Sequence, residues 1–350
     1  MDTAISRLTF EARNDKLPFK VPFRISGYVF TESPVTLVTL NDGVNIGRGE
    51  AAGVYYLKDT PETMLATLEG HRAAIQSGRS REELRSLLPP GGARNAVDCA
   101  LWELESKRAR TPAWKLAGIS SPRPLLTTFT VSANDPVAMA EGAKNFAQAR
   151  AIKLKLTGEV ELDIERVRAV RAARPDVWLG VDANQGYNRA TLEKLLPILH
   201  EVRVSLLEQP CARGHEAELD GIDHSIPIAA DESVLGLDEV EALPGRFDVV
   251  NIKLDKCGGL TEGLLISQRA RSLGMKVMVG NMIGTSLAMA PAFILGQHCD
   301  VVDLDGPIFL QQDCKPGVRY EGGYVSCDDE VWGLHWDYLN IVLVDTFPFQ

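Results

Sequence analysis

From about residue 124 onward, short apolar runs alternate with longer amphipathic stretches. The runs are LLTTFTVS, AIKLKL, VWLGVDAN, VSLLEQP, IPIAADES, FDVVNIKL, MKVMVGNM and CDVVDLDGP. Segments of helical spacing lie between them, such as ELDIERVRAVRAAR at 161–174. Eight strand-like runs separated by helices predict parallel βα units that close into a barrel. The first third reads differently. Residues 4–52 carry strand patterns, and TLVTLNDGVNIGRGE predicts a hairpin turning at Asn41-Asp42-Gly43. Residues 60–117 turn helical. Thr60-Pro61-Glu62-Thr63 is a helix start with proline in the first turn. ARNAVDCALWELESKRAR spaces Ala93, Val97, Ala100, Leu101 and Leu104 along one helical face. The predicted class is α/β: an α+β domain over residues 1–118, then a barrel over 119–314. The tail, about 315–350, is rich in glycine and aromatics, breaks the alternation, and is expected to pack back on the first domain.

The chain has 350 residues, 45% of them hydrophobic, enough for a sizeable core. A net charge of -10 and a pI near 5.2 argue against nucleic acid and against anionic membranes as partners. The six cysteines show no C-x-x-C spacing, so they read as reduced thiols and not as a zinc site. The start, MDTAISRLTFEARND, is too polar for a secretory signal, and no apolar run has the length of a membrane span. A cytoplasmic location is expected.

Three predicted strands end in carboxylates: Asp182, Glu208 and Asp231, spaced 26 and 23 residues apart. Each interval is one βα unit, so all three sit at the C-terminal mouth, where barrel active sites lie. Converging carboxylates repel unless a cation neutralises them, and an all-oxygen set favours a hard divalent ion, Mg²⁺ first. Each acid alone reads equally well as a helix cap. One unit before them, KLKL places Lys153 and Lys155 on one face; Lys253 follows one unit after, at a spacing of 22 residues. Alone, KLKL reads as an edge strand guarded by outward lysines. Beside carboxylates and a metal, the pair reads as buried bases whose pKa values are lowered by each other and by the ion.

Lys-x-Lys, VDAN, LEQP, ADES and NIKLDKCGG together resemble the enolase superfamily, in its muconate-lactonising subgroup. The resemblance covers nearly the whole chain, including GRGE at 47–50, and implies a modified (β/α)₇β barrel with an α+β capping domain. It implies one Mg²⁺ per subunit on Asp182, Glu208 and Asp231, holding a substrate carboxylate. Lys155 and Lys253 would then exchange the α-proton from opposite faces, and Lys153 would steady the enediolate. DLDGP places Asp303 and Asp305 on one face, which resembles the dipeptide epimerases, whose paired aspartates hold the substrate ammonium. A capping role before Pro307 is the alternative. Thr130, in TFTVS, and the VGNMIGTS loop around Asn281 and Ile283 match substrate-contacting positions of those enzymes.

The capping-domain loops, FRISGYVFTES and AAGVYYLKD, carry Arg24, Tyr28, Phe30, Tyr55 and Tyr56. Arg24, Tyr28 and Tyr55 are expected to reach the substrate. The apolar character of the loops predicts a hydrophobic or small side chain and not strictly Ala-Glu. The expected activity is thus epimerisation at the C-terminal residue of an L,L-dipeptide. An N-acylamino acid racemase, an o-succinylbenzoate synthase or a muconate cycloisomerase is the alternative within the superfamily, and association into homo-oligomers is common there. Two readings lie outside it: a Schiff-base lyase using Lys155 or Lys253, and a barrel that only binds. GRGEAAG imitates a dinucleotide fingerprint, but no helix pattern opens after it. Asn184 reads as a metal or water contact or as a cap.

Overall fold

The computed structural model describes residues 7–25, 27–222 and 225–334. The end of the aromatic tail, residues 335–350, lies outside the described residues. Three strands open the chain: β1 (Thr9–Ile25), β2 (Tyr28–Asn41) and β3 (Ile46–Ala51), an antiparallel sheet in the order β1-β2-β3. The predicted turn between β2 and β3 is held by its own side chains. Asn41 Oδ1 accepts from Gly43 N at 2.7 Å, and Asp42 Oδ1 accepts from Asn45 N at 2.7 Å. The helix Gly92–Ala109 packs on β3. A Cβ at Gly47 or Gly49 would come within 2.0 Å of the backbone oxygens of Ala100 and Ala96. Helix and strand therefore touch backbone to backbone, and that contact explains the glycines of GRGE.

The outer half of the β1–β2 hairpin belongs to the barrel mouth. Its register breaks between Pro18 and Phe23. At the near edge of the break, Gln311 N donates to Pro18 O at 2.9 Å and Ser33 Oγ donates to Ile283 O at 2.6 Å. Phe19, Phe23 and Ile25 bury against Leu310, with Phe30, Tyr55, Ile283 and Phe309 around them.

A short strand, β4 (Leu125–Leu126), precedes the barrel. The barrel strands are β5 (Thr128–Val131), β6 (Ala151–Lys155), β7 (Trp178–Asp182), β8 (Leu206–Glu208), β9 (Ile228–Ala230), β10 (Val249–Ile252), β11 (Lys276–Val279) and β12 (Val301–Val302). They pair in chain order, β5 through β12, all parallel. LLTTFTVS is thus two strands and not one. Threonine and aspartate side chains bridge the seam between β12 and β5. Thr128 Oγ1 donates to Asp303, Thr130 N donates to Asp305 Oδ2 at 2.6 Å, and Leu304 N donates to Thr127 Oγ1 at 2.9 Å. A short 3-10 turn at Gly306–Phe309 follows β12, as similar turns at Glu216–Leu219 and Leu237–Ala242 follow β8 and β9, while α-helices follow the other five strands. Inside the foot, Leu206, Ala229, Val249 and Met278 pack with Trp178 and Val301. The edge-strand reading of KLKL fails here, because β6 lies between β5 and β7 and all five of its residues are buried. No described helix is long and apolar enough to cross a membrane.

The described part of the tail forms a hairpin, β13 (Arg319–Glu321) with β14 (Tyr324–Ser326), and β14 pairs with β4. It then reaches β3: Trp332 Nε1 donates to Arg48 O at 3.0 Å, and Arg48 Nη2 donates to Val331 O at 2.9 Å.

Buried carboxylates fasten the first domain to the barrel. Glu50 accepts from Thr285 N at 2.7 Å and from Thr285 Oγ1 at 2.6 Å. Asp255 Oδ1 accepts from Ala52 N at 2.9 Å and from Gly53 N at 3.0 Å. Asp98 accepts from Thr261 N at 3.0 Å and from its hydroxyl at 2.6 Å. Burial pushes Glu50 up to about 7, Asp98 to about 6 and Asp255 to about 7. A carboxyl raised on folding contributes fully below its unfolded pKa, about 4, and that contribution is lost as pH climbs to the folded value. Asp255→Asn removes one such titration and keeps an oxygen for both N–H groups. Its melting temperature should gain on that of the parent by several degrees between about pH 5 and about pH 8. An offset that stays constant over this range would contradict an ionisable group buried at this joint.

Candidate active site

The strand register lines up the charged residues before any side-chain contact is considered. Lys155 stands beside Asp182 on β6 and β7, and Asp182 beside Glu208 on β7 and β8. Asp231 follows β9 and Lys253 follows β10. Lys155 Nζ donates to Asp182 Oδ2 at 2.6 Å, and Lys253 Nζ donates to Asp231 Oδ2 at 2.7 Å. Lys153 Nζ lies 3.5 Å from Glu208 and also donates to Asp303. In a ring of eight strands, β6 and β10 are four apart, as are β8 and β12. Lys155 and Lys253 therefore end one diameter of the mouth. Glu208 and the Asp303–Asp305 pair end the crossing one.

None of the three strand-end carboxylates acts as a helix cap. The helix after β7, Arg189–Glu201, is capped by Asn188, whose side chain accepts from Thr191 N. That also settles Asn184, which lines the cavity and caps nothing. Asp305 precedes the turn Gly306–Phe309 but makes no side-chain cap bond to it.

Set by the chain's own charges, the basicity of Lys153 and of Lys253 is raised, not lowered. Burial alone would depress Lys153, but Asp303, Glu208 and Asp182 outweigh it and hold the ammonium well above its usual range. Burial is likewise outweighed at Lys253, by Asp231 and Glu208. At Lys153 the carboxylates outweigh burial because all three lie within 3.9 Å of its Nζ.

Three contributors were not read from the sequence. Lys256, one turn beyond Lys253, donates to Asp231 Oδ1 at 2.6 Å and to Asn251 O at 3.1 Å. Asn251 Nδ2 donates to Glu208 Oε1 at 2.8 Å. Glu232, next to Asp231, is buried and lines the cavity. The period-two pattern of NIK held the signal for Asn251, since it shares a strand face with Lys253.

These groups are not balanced. Asp182, Glu208, Asp231, Glu232, Asp303 and Asp305 are buried with Lys153, Lys155, Lys253 and Lys256. Six carboxylates against four ammonium groups leaves two negative charges. Within the chain, protons make up the deficit. Burial, then Asp182, pushes Glu208 up to about 7, and burial, then Asp231, pushes Glu232 up to about 8. Asn184 Oδ1 and Glu232 Oε2 are buried and unpartnered among the described residues. Among those residues no three ligand-type side chains converge closely enough to hold an ion as they stand, because the lysines lie against the carboxylates. By charge and donor type the set fits one hard divalent cation.

The cavity above is walled by Phe19, Phe23, Ile25, Phe30, Tyr55, Ile283 and Phe309, with Thr130, Asp303 and Asp305 at its floor. Two expected contacts are not brought to it. Arg24 lies between inward Phe23 and Ile25 on β1, so it points outward and is exposed. Tyr28 sits beside the hairpin turn, 48% exposed, with its ring stacked on Phe30 at 5.8 Å. Among the described residues the only cations lining the cavity are Lys153, Lys155 and Lys253, and Glu32 lies at its lid side.

The sequence matches two family models, "Mandelate racemase / muconate lactonizing enzyme, N-terminal domain" over residues 7–118 and "Enolase C-terminal domain-like" over residues 138–334. It is 36% identical to the L-Ala-D/L-Glu epimerase of Escherichia coli strain K12, across 90% of this chain and 98% of that one. It is 33% identical to a hydrophobic dipeptide epimerase of Roseobacter litoralis, across 89% and 94%. Among solved structures it resembles an enolase family member from Agrobacterium tumefaciens with homology to dipeptide epimerases, holding sodium and L-Ala-L-Glu. The TM-score is 0.89 at 38% identity, covering 93% of this chain and all of that one, 100%. It also resembles the dipeptide epimerase of Methylococcus capsulatus complexed with Mg and L-Arg-D-Lys, with a TM-score of 0.85 at 29% identity, covering 91% and 96%. With both domains matched in order and the barrel observed strand by strand, this chain belongs to the enolase superfamily, in its mandelate racemase and muconate lactonizing family.

Proposed function

We propose that this chain is a Mg²⁺-dependent dipeptide epimerase, an isomerase that inverts the α-carbon of the C-terminal residue of an L,L-dipeptide. The observation that carries this reading is the crossing of two diameters: Lys155 opposite Lys253, and Glu208 opposite Asp303 and Asp305. A dipeptide laid along the second diameter puts its carboxylate toward the acidic strand ends and its ammonium on the aspartate pair. Its α-carbon then lies between the two lysines, as a proton transfer between opposite faces requires. Asp182, Glu208 and Asp231 are the residues that would hold Mg²⁺. When bound, the ion supplies positive charge to a carboxylate that must accept a second negative charge.

The chain's own residues do the rest. Lys155 and Lys253, which now contact Asp182 and Asp231, would be freed to face the substrate when those carboxylates hold the ion. One lysine, as the amine, takes the α-proton, and the C–H electron pair passes into an enediolate. The ammonium of Lys153 lies beside the developing charge. The other lysine, as the ammonium, returns a proton to the opposite face. The apolar walls receive the substrate side chain. With Arg24 turned outward, the cavity offers a glutamate side chain no described cation beyond Lys153, Lys155 and Lys253, which the scheme already uses, and this supports an apolar preference. The relatives include both kinds, an L-Ala-D/L-Glu epimerase at 36% identity and a hydrophobic dipeptide epimerase at 33%, so the apolar preference rests on the cavity wall and not on their names.

Two predictions test this. Lys155→Ala and Lys253→Ala should each lower epimerisation of a hydrophobic dipeptide by roughly 10²–10⁴-fold, read as loss of product epimer by mass spectrometry in D₂O. EDTA should stop the parent enzyme, and Mg²⁺ should restore it. A lysine variant that keeps near-parental turnover would end the two-base scheme, and turnover that survives EDTA would point to a Schiff-base enzyme. The second concerns the side chain. L-Ala-L-Leu or L-Ala-L-Phe should exceed L-Ala-L-Glu in kcat/KM by about tenfold or more, since leaving a carboxylate in an apolar wall is costly. The reverse order would sink the apolar pocket, and exchange from N-acylamino acids alone would move the assignment to the racemases.

A further inference from the structure

Tyr56 is among the polar groups of the cavity wall that the proton-transfer scheme leaves unused. The hydroxyl oxygen of Tyr56 is buried and has no hydrogen-bond partner among the described residues, yet Tyr56 lines the same cavity as Lys253, Asp231 and Glu232. A buried hydroxyl without a partner is unfavourable, and a fold that keeps one at a site holds it for a partner that arrives or moves. The turn that carries it, Tyr55–Leu57, is fastened to the Lys253 segment. Asp255, two residues after Lys253, takes Ala52 N at 2.9 Å and Gly53 N at 3.0 Å. Gly53 adopts φ +69°, a left-handed turn that points the next residues into the mouth. Tyr55 meets the Tyr56 ring edge-on at 5.2 Å and limits its swing. The charges that act most strongly on the hydroxyl are Asp231, Lys253 and Glu232, all at the Lys253 end of the diameter.

We infer that Tyr56 is a positioning residue for Lys253, whose Nζ donates to the Tyr56 hydroxyl while that lysine exchanges its proton with the α-carbon; this rests on the two-base reading above. The physical need is specific. Asp231 holds Lys253 now, at 2.7 Å, but a carboxylate favours the ammonium, and a base must also exist as the amine. An uncharged oxygen accepts an N–H from either form. It therefore aims Nζ at the substrate without fixing the proton on it. In one direction the amine of Lys253 takes the α-proton and the C–H pair enters the enediolate. In the other the ammonium returns that proton to carbon. Lys155, across the barrel, has no part in this contact.

The test is Tyr56→Phe, which removes only the oxygen, assayed in D₂O from each epimer separately. Deuterium is read both in recovered substrate and in product. Lys253→Ala first identifies which epimer Lys155 deprotonates, because that epimer alone keeps substrate exchange. From that epimer, Tyr56→Phe should exchange substrate at near the parental rate while forming product about tenfold more slowly or worse. From the other epimer, exchange and product should both fall by that factor. A merely structural loss lowers both epimers alike, so equal losses, or no loss, would overturn the role of Tyr56. A parent enzyme that exchanges no α-proton from any dipeptide would overturn the epimerase reading and this inference together.

Discussion

Charges withdrawn from water must be matched where they lie, and at the mouth of this barrel the chain matches them only in part. Six carboxylates face four lysines, all buried. Each lysine is held by at least one carboxylate, and two glutamates, Glu208 and Glu232, are pushed toward the neutral form to relieve the excess. An uncompensated buried charge costs several kcal/mol. The arrangement is therefore stable only with protons or a cation added, and the oxygen donors favour a cation. The same shortage of positive charge that makes the mouth hard to fold dry makes it receptive to an ion and to a zwitterionic substrate.

The last strand shows that closure of the barrel and the chemistry at its mouth depend on the same residues. β12 has two residues and forms no ladder with β5. Asp303 and Asp305 bridge that seam through Thr128 and Thr130. Asp303 also binds Lys153, so the aspartates that would meet a substrate ammonium already join the first strand to the last. Asp305 is the less committed of the two, since burial, then Asp303, pushes its carboxyl up to about 6. A substrate ammonium would supply the positive charge that Asp305 lacks in the chain itself.

The barrel was legible in the sequence because its code is local. Strand ends repeat at one βα unit, so Asp182, Glu208 and Asp231 announce their level by spacing alone, and Lys155 and Lys253 bracket them by the same rule. What the sequence could not reveal depends on distance in space. The lid hairpin leans on barrel loops about 290 residues away in the chain, as the Phe19–Leu310 pairing shows. Its inward face is set by a register break after Pro18. Arg24 and Tyr28 looked like lid contacts by position, and the alternation of β1 and the hairpin turn sent them outward. The carboxylate partners of the lysines were not legible for a similar reason. The pattern places lysines near a metal, but which carboxylate each one touches is a matter of side-chain geometry. Lys256 and Glu232 stood inside the recognisable motifs NIKLDK and ADES, hidden beside residues with more obvious roles.

The division of labour between the domains follows from how they are joined. The barrel contributes every charge of the proton-transfer machinery, on strand ends fixed by the ladder. The first domain contributes most of the apolar wall, which Ile283 and Phe309 of the barrel complete, on a hairpin and a turn joined to the barrel through Glu50, Asp98 and Asp255. These joints use carboxylates that accept backbone and hydroxyl donors, and none of them uses a group of the catalytic set. Substitutions among Phe19, Phe23, Phe30 and Tyr55 can therefore reshape the side-chain pocket while the charge balance at the strand ends stays as it is. Asp255 is the exception to this separation. It lies two residues from Lys253 and anchors the turn bearing Tyr55 and Tyr56, so the wall that meets the substrate side chain and one of the two bases are placed by a single carboxylate.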